Sequence, residues 1–396
     1  MIPLFNKKGK AQFKKKVQKI DGKSLTFLVI VGGLFLITGG VVVLTHYTDF
    51  FTITYDASKP NMAQVENTEV NAIPTLTASR FPPLDKVAYD AKLLELANYP
   101  APKIKVSTST ATSTKAATTT TTKRLWPPKT VYPNDGAILP FKRIVSYYGN
   151  FYSKGMGVLG QYPRDEVISK LKTEVDKWNV ADPTTPVVPA FNYIAITAQG
   201  SPGADGMYRL RMPDSQIDKA LDMAKEVNGI VFIEMQVGFS TIQKELPLLD
   251  TYWKMDNVHI ALDPEFSMKH GIRPGKEIGT MDAADINYAA EYIAKIVRDN
   301  NLPPKIMLVH RFTEEMVTNY KLIKPLPEVQ IVMVMDGWGF PAKKKNTYYQ
   351  VIQPEPVQFT GFKLFYKNDL LPPSTAMLTP EELLRLQPRP SYIQFQ

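Results

Sequence analysis

Four carboxylates stand where an otherwise apolar chain has little reason to put them. Glu234 closes the run IVFIE, Asp263 and Glu265 sit in ALDPE, and Asp336 ends IVMVMD. Each follows a strand-length stretch of branched and aromatic residues, so each is expected at a strand end. Charges of one sign gathered at neighbouring strand ends repel, and the repulsion raises the pKa of one or more of them. A carboxyl held protonated near neutral pH is what a general acid requires. Along a strand, residues two apart share a face. Glu234 is thereby grouped with Gln236, and Asp263 with Glu265 behind the small Ala261. The plainer reading is that acidic residues at strand ends cap the next helix, or, for Asp336-Gly337, open a turn. A cap needs one carboxylate, which leaves the Asp263-Glu265 pair in want of another explanation.

The strands that must position these groups recur from residue 142 onward. Apolar runs at 142–150, 187–197, 230–238, 258–266, 305–312, 329–339, 361–369 and 391–396 alternate with segments of helical period, among them 164–178 and 283–299. Eight such units in about 255 residues predict a (β/α)8 TIM barrel, with its site at the C-terminal ends of the strands. An open doubly wound sheet uses the same unit. It calls for a glycine-rich loop after the first strand, and the segment from Gly149 to Gly157 contains no G-x-G-x-x-G. The chain ends in the eighth strand. The eighth helix is therefore missing, or is replaced by the upstream island LDKVAYDAKLLELAN (84–98), which is expected to be a transient helix.

At the strand ends, the residues expected to contact substrate are Tyr147, Tyr148, Asn150, Tyr193, Gln236, His310, Trp338 and Tyr366. The aromatics suit the apolar faces of sugar rings, and His310 has the alternative of a satisfied structural histidine. One protonated carboxyl with further carboxylates around it is the set that glycoside hydrolysis uses. A non-catalytic glycan-binding or envelope-interaction barrel is the alternative from another class. A hard-metal hydrolase, with Glu234, Asp263, Glu265 and Asp336 around a cation, is the third. No metal or other cofactor is expected. Zinc is least supported, because the chain has no cysteine and four histidines.

The motif IALDPE (260–265) is similar to the Asp-x-Glu ending of strand four in chitinase-type and lysozyme-type glycoside hydrolases. That resemblance implies Glu265 as acid and Asp263 as the orienting or stabilising carboxylate. Ala261 stands where the chitinase pattern has a further aspartate, and the first strand offers tyrosines and Asn150 where the lysozyme-type enzymes have one. The runs YYGNFYSKGMGVLG, PVVPAFNYIAI, ALDPEF, GTMDAADIN, LVHRF and VMDGWG together resemble a family of exported bacterial barrel proteins of glycoside-hydrolase-like type. The resemblance implies a barrel outside the cytoplasm, and the glycoside-hydrolase reading of the carboxylates makes the expected partner a glycan, polysaccharide or peptidoglycan.

The rest of the chain concerns placement. Residues 1–23 hold eight lysines against Asp21, and so carry seven of the nine net positive charges. What remains is too dispersed for a nucleic-acid face, and no nucleic-acid partner is expected. Residues 25–44, LTFLVIVGGLFLITGGVVVL, carry no charge and span ~30 Å as a helix, the thickness of a bilayer core. The reading is a basic cytoplasmic segment (1–23), a single transmembrane helix (24–47), an extracytoplasmic linker (48–129) of low complexity and disordered at 107–123, and a barrel domain (130–396). The lysines keep the N-terminus in the cytoplasm and send the barrel outward. The apolar run exceeds a signal-peptide core and meets no small-x-small cleavage site, so the span is expected to stay on the mature protein. N-terminal sequencing of membrane-extracted protein checks this; a mature start near residue 48 is the outcome that rejects it.

Overall fold

The computed structural model describes residues 80–100 and 124–396. The basic segment, the apolar run at 25–44 and the Thr-rich run at 107–123 lie outside the described residues. Among the described residues, no helix is long and apolar enough to cross a membrane.

Eight parallel strands form the centre: β1 (Arg143–Gly149), β2 (Val187–Ala198), β3 (Ile230–Met235), β4 (Val258–Leu262), β5 (Lys305–Arg311), β6 (Val329–Met335), β7 (Phe359–Leu364) and β8 (Tyr392–Phe395). Each pairs with the next, and β1 pairs with both β2 and β8. Ile144 stands opposite Val188 on one side and Tyr392 on the other, so the sheet closes. Closure rules out the open doubly wound sheet. Parallel strands covered on both faces read as apolar runs, which is why their starts are visible in the sequence. The inner face carries Ile144, Ala190, Phe232, Ala261, Leu308, Val334 and Tyr392. The outer face, with Val145, Phe191, Val231, Ile260 and Val309, packs against the surrounding helices.

Four of the connections contain substantial helices: α2 (Arg164–Ala181), α3 (Asp214–Glu226), α4 (Ala283–Asp299) and α5 (Pro341–Thr347). In α4 the start is fixed by a reciprocal cap, Asp282 with Asp285. The strict alternation expected from the sequence fails elsewhere. Between β3 and β4 the chain makes three single turns, and between β5 and β6 only a two-residue strand, Val317–Thr318, and one 3-10 turn. Pro247, Pro325, Pro327, Pro372 and Pro373 fall in the helix-poor connections, and proline removes the donor that a helix interior needs. Several strands also stop earlier than the apolar runs suggest. β3 ends before Gln236, β4 before Asp263 and β6 before Asp336.

The upstream island is a helix seated on the barrel floor rather than a transient one. This helix, α1 (Lys86–Ala97), is capped at Asp85, whose side chain accepts from the Ala88 amide, and ends at Asn98 in the left-handed conformation. Tyr89 and Leu96 join the inner cluster formed by the strands, with Leu93 packed against it. These residues recur at helical spacing, so one face of α1 stoppers the N-terminal end of the barrel. Asn98 Nδ2 donates to the Leu384 and Leu386 carbonyls at 3.3 and 2.8 Å, and the Arg389 amide donates to Leu96 O at 2.7 Å. Val87 and Leu94 lie on the opposite, exposed face.

Removing the buried side chain should therefore cost much more than removing its exposed neighbour. Leu96→Ala is expected to lose about 2–5 kcal/mol, and Leu94→Ala less than about 0.5 kcal/mol. Urea unfolding of the two variants gives the comparison, and equal losses would mean that α1 is not docked in solution.

Candidate active site

Just above the apolar inner layer, every one of the eight strands contributes an inward polar group near or just beyond its end. They are Tyr148 from β1, Asn192 from β2, Glu234 and Gln236 at β3, Asp263 after β4, His310 from β5, Asp336 after β6, Lys363 from β7 and Gln394 from β8. All are buried. Alternation explains the set: one residue earlier or later on each strand is an outer-face residue packed against helices.

Five of these groups close a circuit around the barrel mouth. The Tyr148 hydroxyl donates to Glu234 Oε1 at 2.8 Å. Glu234 Oε2 lies 3.1 Å from His310 Nε2, and His310 Nδ1 lies 3.2 Å from Asp336 Oδ2. Lys363 Nζ is 3.0 Å from Asp336 Oδ1 and stands 3.9 Å over the Tyr148 ring. The charges alternate in sign around the circuit. A side branch runs from Glu234 Oε2, which accepts from Asn192 Nδ2 at 2.8 Å. Asn192 also donates to Gln394 Oε1 at 3.1 Å, and that oxygen accepts from the Tyr392 hydroxyl.

Protonation follows from this arrangement. Burial alone would drive the His310 pKa down, but the Glu234 and Asp336 carboxylates on either side outweigh it and lift the imidazole to about 10. Burial likewise favours a neutral Asp336, and here Lys363 and His310 prevail and hold it below the ordinary carboxylate range. Among the described residues, no cation is bonded to Asp263. Burial, then Glu234 and Glu265, push its carboxyl well above the usual range, and the His310 charge offsets this only in part. Gln236 Nε2 donates to Asp263 Oδ2 at 3.1 Å, and the Glu265 amide donates to Oδ1 at 3.2 Å. The mouth thus holds one carboxyl whose pKa is pushed up beside a circuit of paired charges.

The sequence-derived set divides on placement. Glu234, Asp263 and Asp336 converge, with Tyr148, Gln236 and His310. Glu265 does not share a strand face with Asp263, because β4 ends at Leu262 and Asp263 caps a 3-10 turn, Pro264–Phe266. It sits half-buried on that turn, near enough for its charge to act on Asp263. Tyr147, Tyr193 and Tyr366 belong to the outer layer, not the mouth. The Tyr147 hydroxyl meets that of Tyr366 at 3.0 Å, and Tyr193 stacks on Phe151. Tyr148 and Asn192 take the inward positions, so their neighbours must point outward. Asn150 is buried and committed to the loop, donating to Ile194 O and accepting from the Tyr152 amide, each at 2.9 Å. Trp338 is 43% exposed at the rim, with the Lys343 ammonium 4.8 Å from its ring. Asn192, Lys363, Tyr392 and Gln394 were not anticipated. Their signal was present as single polar groups between apolar neighbours, as in AFNYI and GFKLF. Among the described residues, no cluster of His, Asp and Glu is arranged to hold a metal ion.

No protein-family model matches the chain, and no curated protein matches it. Among solved structures, it is similar to a GH5-4 broad specificity endoglucanase from Clostridium longisporum. The identity is 11%, over 62% of this chain and 78% of that one, with a TM-score of 0.33. It is also similar to Plasmodium falciparum HPPK-DHPS solved with pteroate, at 11% identity over 64% of this chain and 44% of that one, with a TM-score of 0.30. The likeness in both cases is a loose one of fold.

The pKa directions give two signatures that unfolding at several pH values can read. A histidine whose folded pKa is raised contributes stability that is full below its unfolded value, about 6.5, and lost as pH rises through about 10. His310→Gln should cost about 3–5 kcal/mol at neutral pH, the usual result of removing one partner from a buried ion pair. The gap from the parent should close as pH rises through 10. Lys305 and Lys344, whose burial lowers their pKa values to about 7 and about 8, slope the opposite way in both proteins and cancel in the comparison. For Asp263 the slope has the same sign but the contribution is a cost, since a raised carboxyl loses stability above its unfolded value of about 3.9. Asp263→Asn should gain on the parent as pH rises above about 4. A gap independent of pH would contradict either assignment.

Proposed function

We propose that this chain is a glycoside hydrolase of polysaccharide, working by carboxylate acid–base chemistry at the barrel mouth and held outside the cytoplasm by residues 25–44. What carries the reading is the placement of the buried Asp263 carboxyl beside Glu234 and Glu265, which with burial pushes its pKa well above the usual carboxylate range. Protonating a glycosidic oxygen demands such a donor at neutral pH. Asp263 stores the proton, and Glu265, adjacent and more exposed on the 3-10 turn, is the carboxylate nearer the substrate. Glu234 and Asp336 supply negative charge for a cationic sugar transition state. The exposed Trp338 offers a rim platform for a sugar ring.

A second reading, a barrel that binds glycan without turning it over, is favoured by one specific feature. Glu234, His310, Asp336 and Lys363 are almost fully buried and pair in charge with one another. Such a circuit fixes the shape of a mouth without chemistry.

Activity separates the two. Sugar release from a panel of cell-wall and extracellular glycans should be measurable for the parent. It should fall by ~10²–10⁴ in both Asp263→Asn and Glu265→Gln while the folded state persists, the range typical of a lost general acid. Undiminished release by both variants sinks the acid–base assignment. Binding with no release by the parent supports the second reading.

A further inference from the structure

The loops that follow β6 and β7 give one side of the mouth an apolar edge. Trp338 and Phe340 stand on the first loop, Leu370 and Leu371 on the second, and all four are exposed. Asp369 ties the loops together. Its Oδ1 accepts from the Gly339 amide and its Oδ2 from the Phe365 amide, each at 2.9 Å. The buried Lys344 ammonium of α5 lies 2.8 Å from Asp369 Oδ2 and donates to Lys363 O at 2.8 Å. Gly339 stands between Trp338 and Phe340, and Leu370 follows Asp369, so the tie brings the two apolar pairs together on a fixed base. Single exposed apolar residues need no account, whereas an exposed apolar cluster marks a contact surface.

What the edge meets follows from the charges around it. Lys343 and Lys367 are exposed beside it, Lys343 with its ammonium 4.8 Å from the Trp338 ring. Between residues 337 and 374 the sequence has two carboxylates, Glu355 and Asp369. Glu355 pairs with Arg311, and Asp369 with Lys344. The edge thus sets Trp, Phe and Leu side chains among ammonium groups. Leucines give a sugar no flat face to stack on, and lysines favour an anionic partner. An anionic bilayer suits both: its acyl boundary takes the apolar groups, and lysine stems extend their charges to the headgroups.

We propose that this edge docks on an anionic lipid bilayer, with Phe340, Leu370 and Leu371 in the acyl boundary, Lys343 and Lys367 on the headgroup phosphates and Trp338 at headgroup depth. The edge belongs to two neighbouring strands of the closed eight, so the barrel would lean on the surface with one side of its mouth and leave the β2–β3 side open. Residues 45–79, between the apolar run and Arg80, reach at most ~120 Å, ample for a barrel to turn its rim to the surface. Docking of this kind is independent of turnover at the mouth. A glycan carried on that surface would meet the Trp338 ring at its own level.

The full chain with phosphatidylcholine vesicles, made with or without phosphatidylglycerol and with brominated acyl chains that quench nearby tryptophan, gives the test. Of the four tryptophans, Trp126, Trp178 and Trp253 are buried, so quenching reads Trp338. Its emission should be quenched when phosphatidylglycerol is present and hardly at all without it. Trp338→Phe should lose the signal. Lys343→Gln and Lys367→Gln should each weaken docking about fivefold, the usual effect of one lysine near an anionic surface. Leu370→Asp combined with Leu371→Asp should abolish quenching at an unchanged Tm; if that pair unfolds the barrel, the lipid comparison and the lysine variants still decide. Equal quenching in both vesicles, or quenching that survives the paired aspartates, overturns the proposal. So does quenching in neither, including the case in which a soluble glycan shields Trp338 from acrylamide and the ring serves sugar alone.

Discussion

The mouth of this barrel depends on one protonated imidazole. His310 stands between Glu234 and Asp336, and the two carboxylates hold its charge against a burial that would otherwise remove it. Without that charge, two acidic groups would face each other across a dry interior, which is among the costliest arrangements a fold can contain. With it, charge alternates from Glu234 round to Lys363, and the Tyr148 ring and hydroxyl join the two ends. The circuit links β1, β3, β5, β6 and β7. The electrostatics and the shape of the mouth are therefore one property, because no member can shift without leaving a buried charge uncompensated.

Asp263 is the exception that gives the site its interest. It touches the circuit only through Gln236, which donates to it and lies 3.3 Å from the Tyr148 hydroxyl. Burial first, and then the Glu234 and Glu265 charges, push its carboxyl well above the usual range. A carboxyl kept this way weakens the fold, and such groups are found where activity has a use for them. Two carboxylates of similar depth thus differ in setting: Asp336 is held in its charged form by Lys363 and His310, whereas Asp263 is the one that the proposed function makes the proton donor.

How much of this was legible follows from which forces act locally. Strand starts were readable, because a parallel strand buried on both faces must be apolar along its length. Glu234 and His310 were readable for the same reason, each a single polar group in a buried run. Lys363 carries an identical signal between Phe362 and Leu364, whereas Tyr366 lies beyond the point where β7 stops. The misplacement of Tyr147 and Tyr193 is a parity error: their partners Tyr148 and Asn192 hold the inward positions, and only the closed sheet decides which parity faces in. Glu265 was grouped with Asp263 by a two-residue period that lapses once the chain turns at Pro264. The circuit itself could not be read at all, since it joins groups up to 215 positions apart, from Tyr148 to Lys363, and barrel closure alone brings them within bonding distance.

The stopper helix has a consequence of another kind. α1 precedes the barrel in the chain, is separated from it by residues 101–123, and fills the floor through side chains rather than strand pairing. It is in effect a ligand of the barrel that happens to be covalently attached, and its occupancy is governed by an effective concentration set by the connecting length. A single cut between Pro100 and Arg124 would turn that intramolecular equilibrium into a bimolecular one. The two pieces would then be a complementing pair, and a peptide carrying residues 80–100 could be exchanged in and out of the floor while the stability of the barrel reports whether the seat is filled.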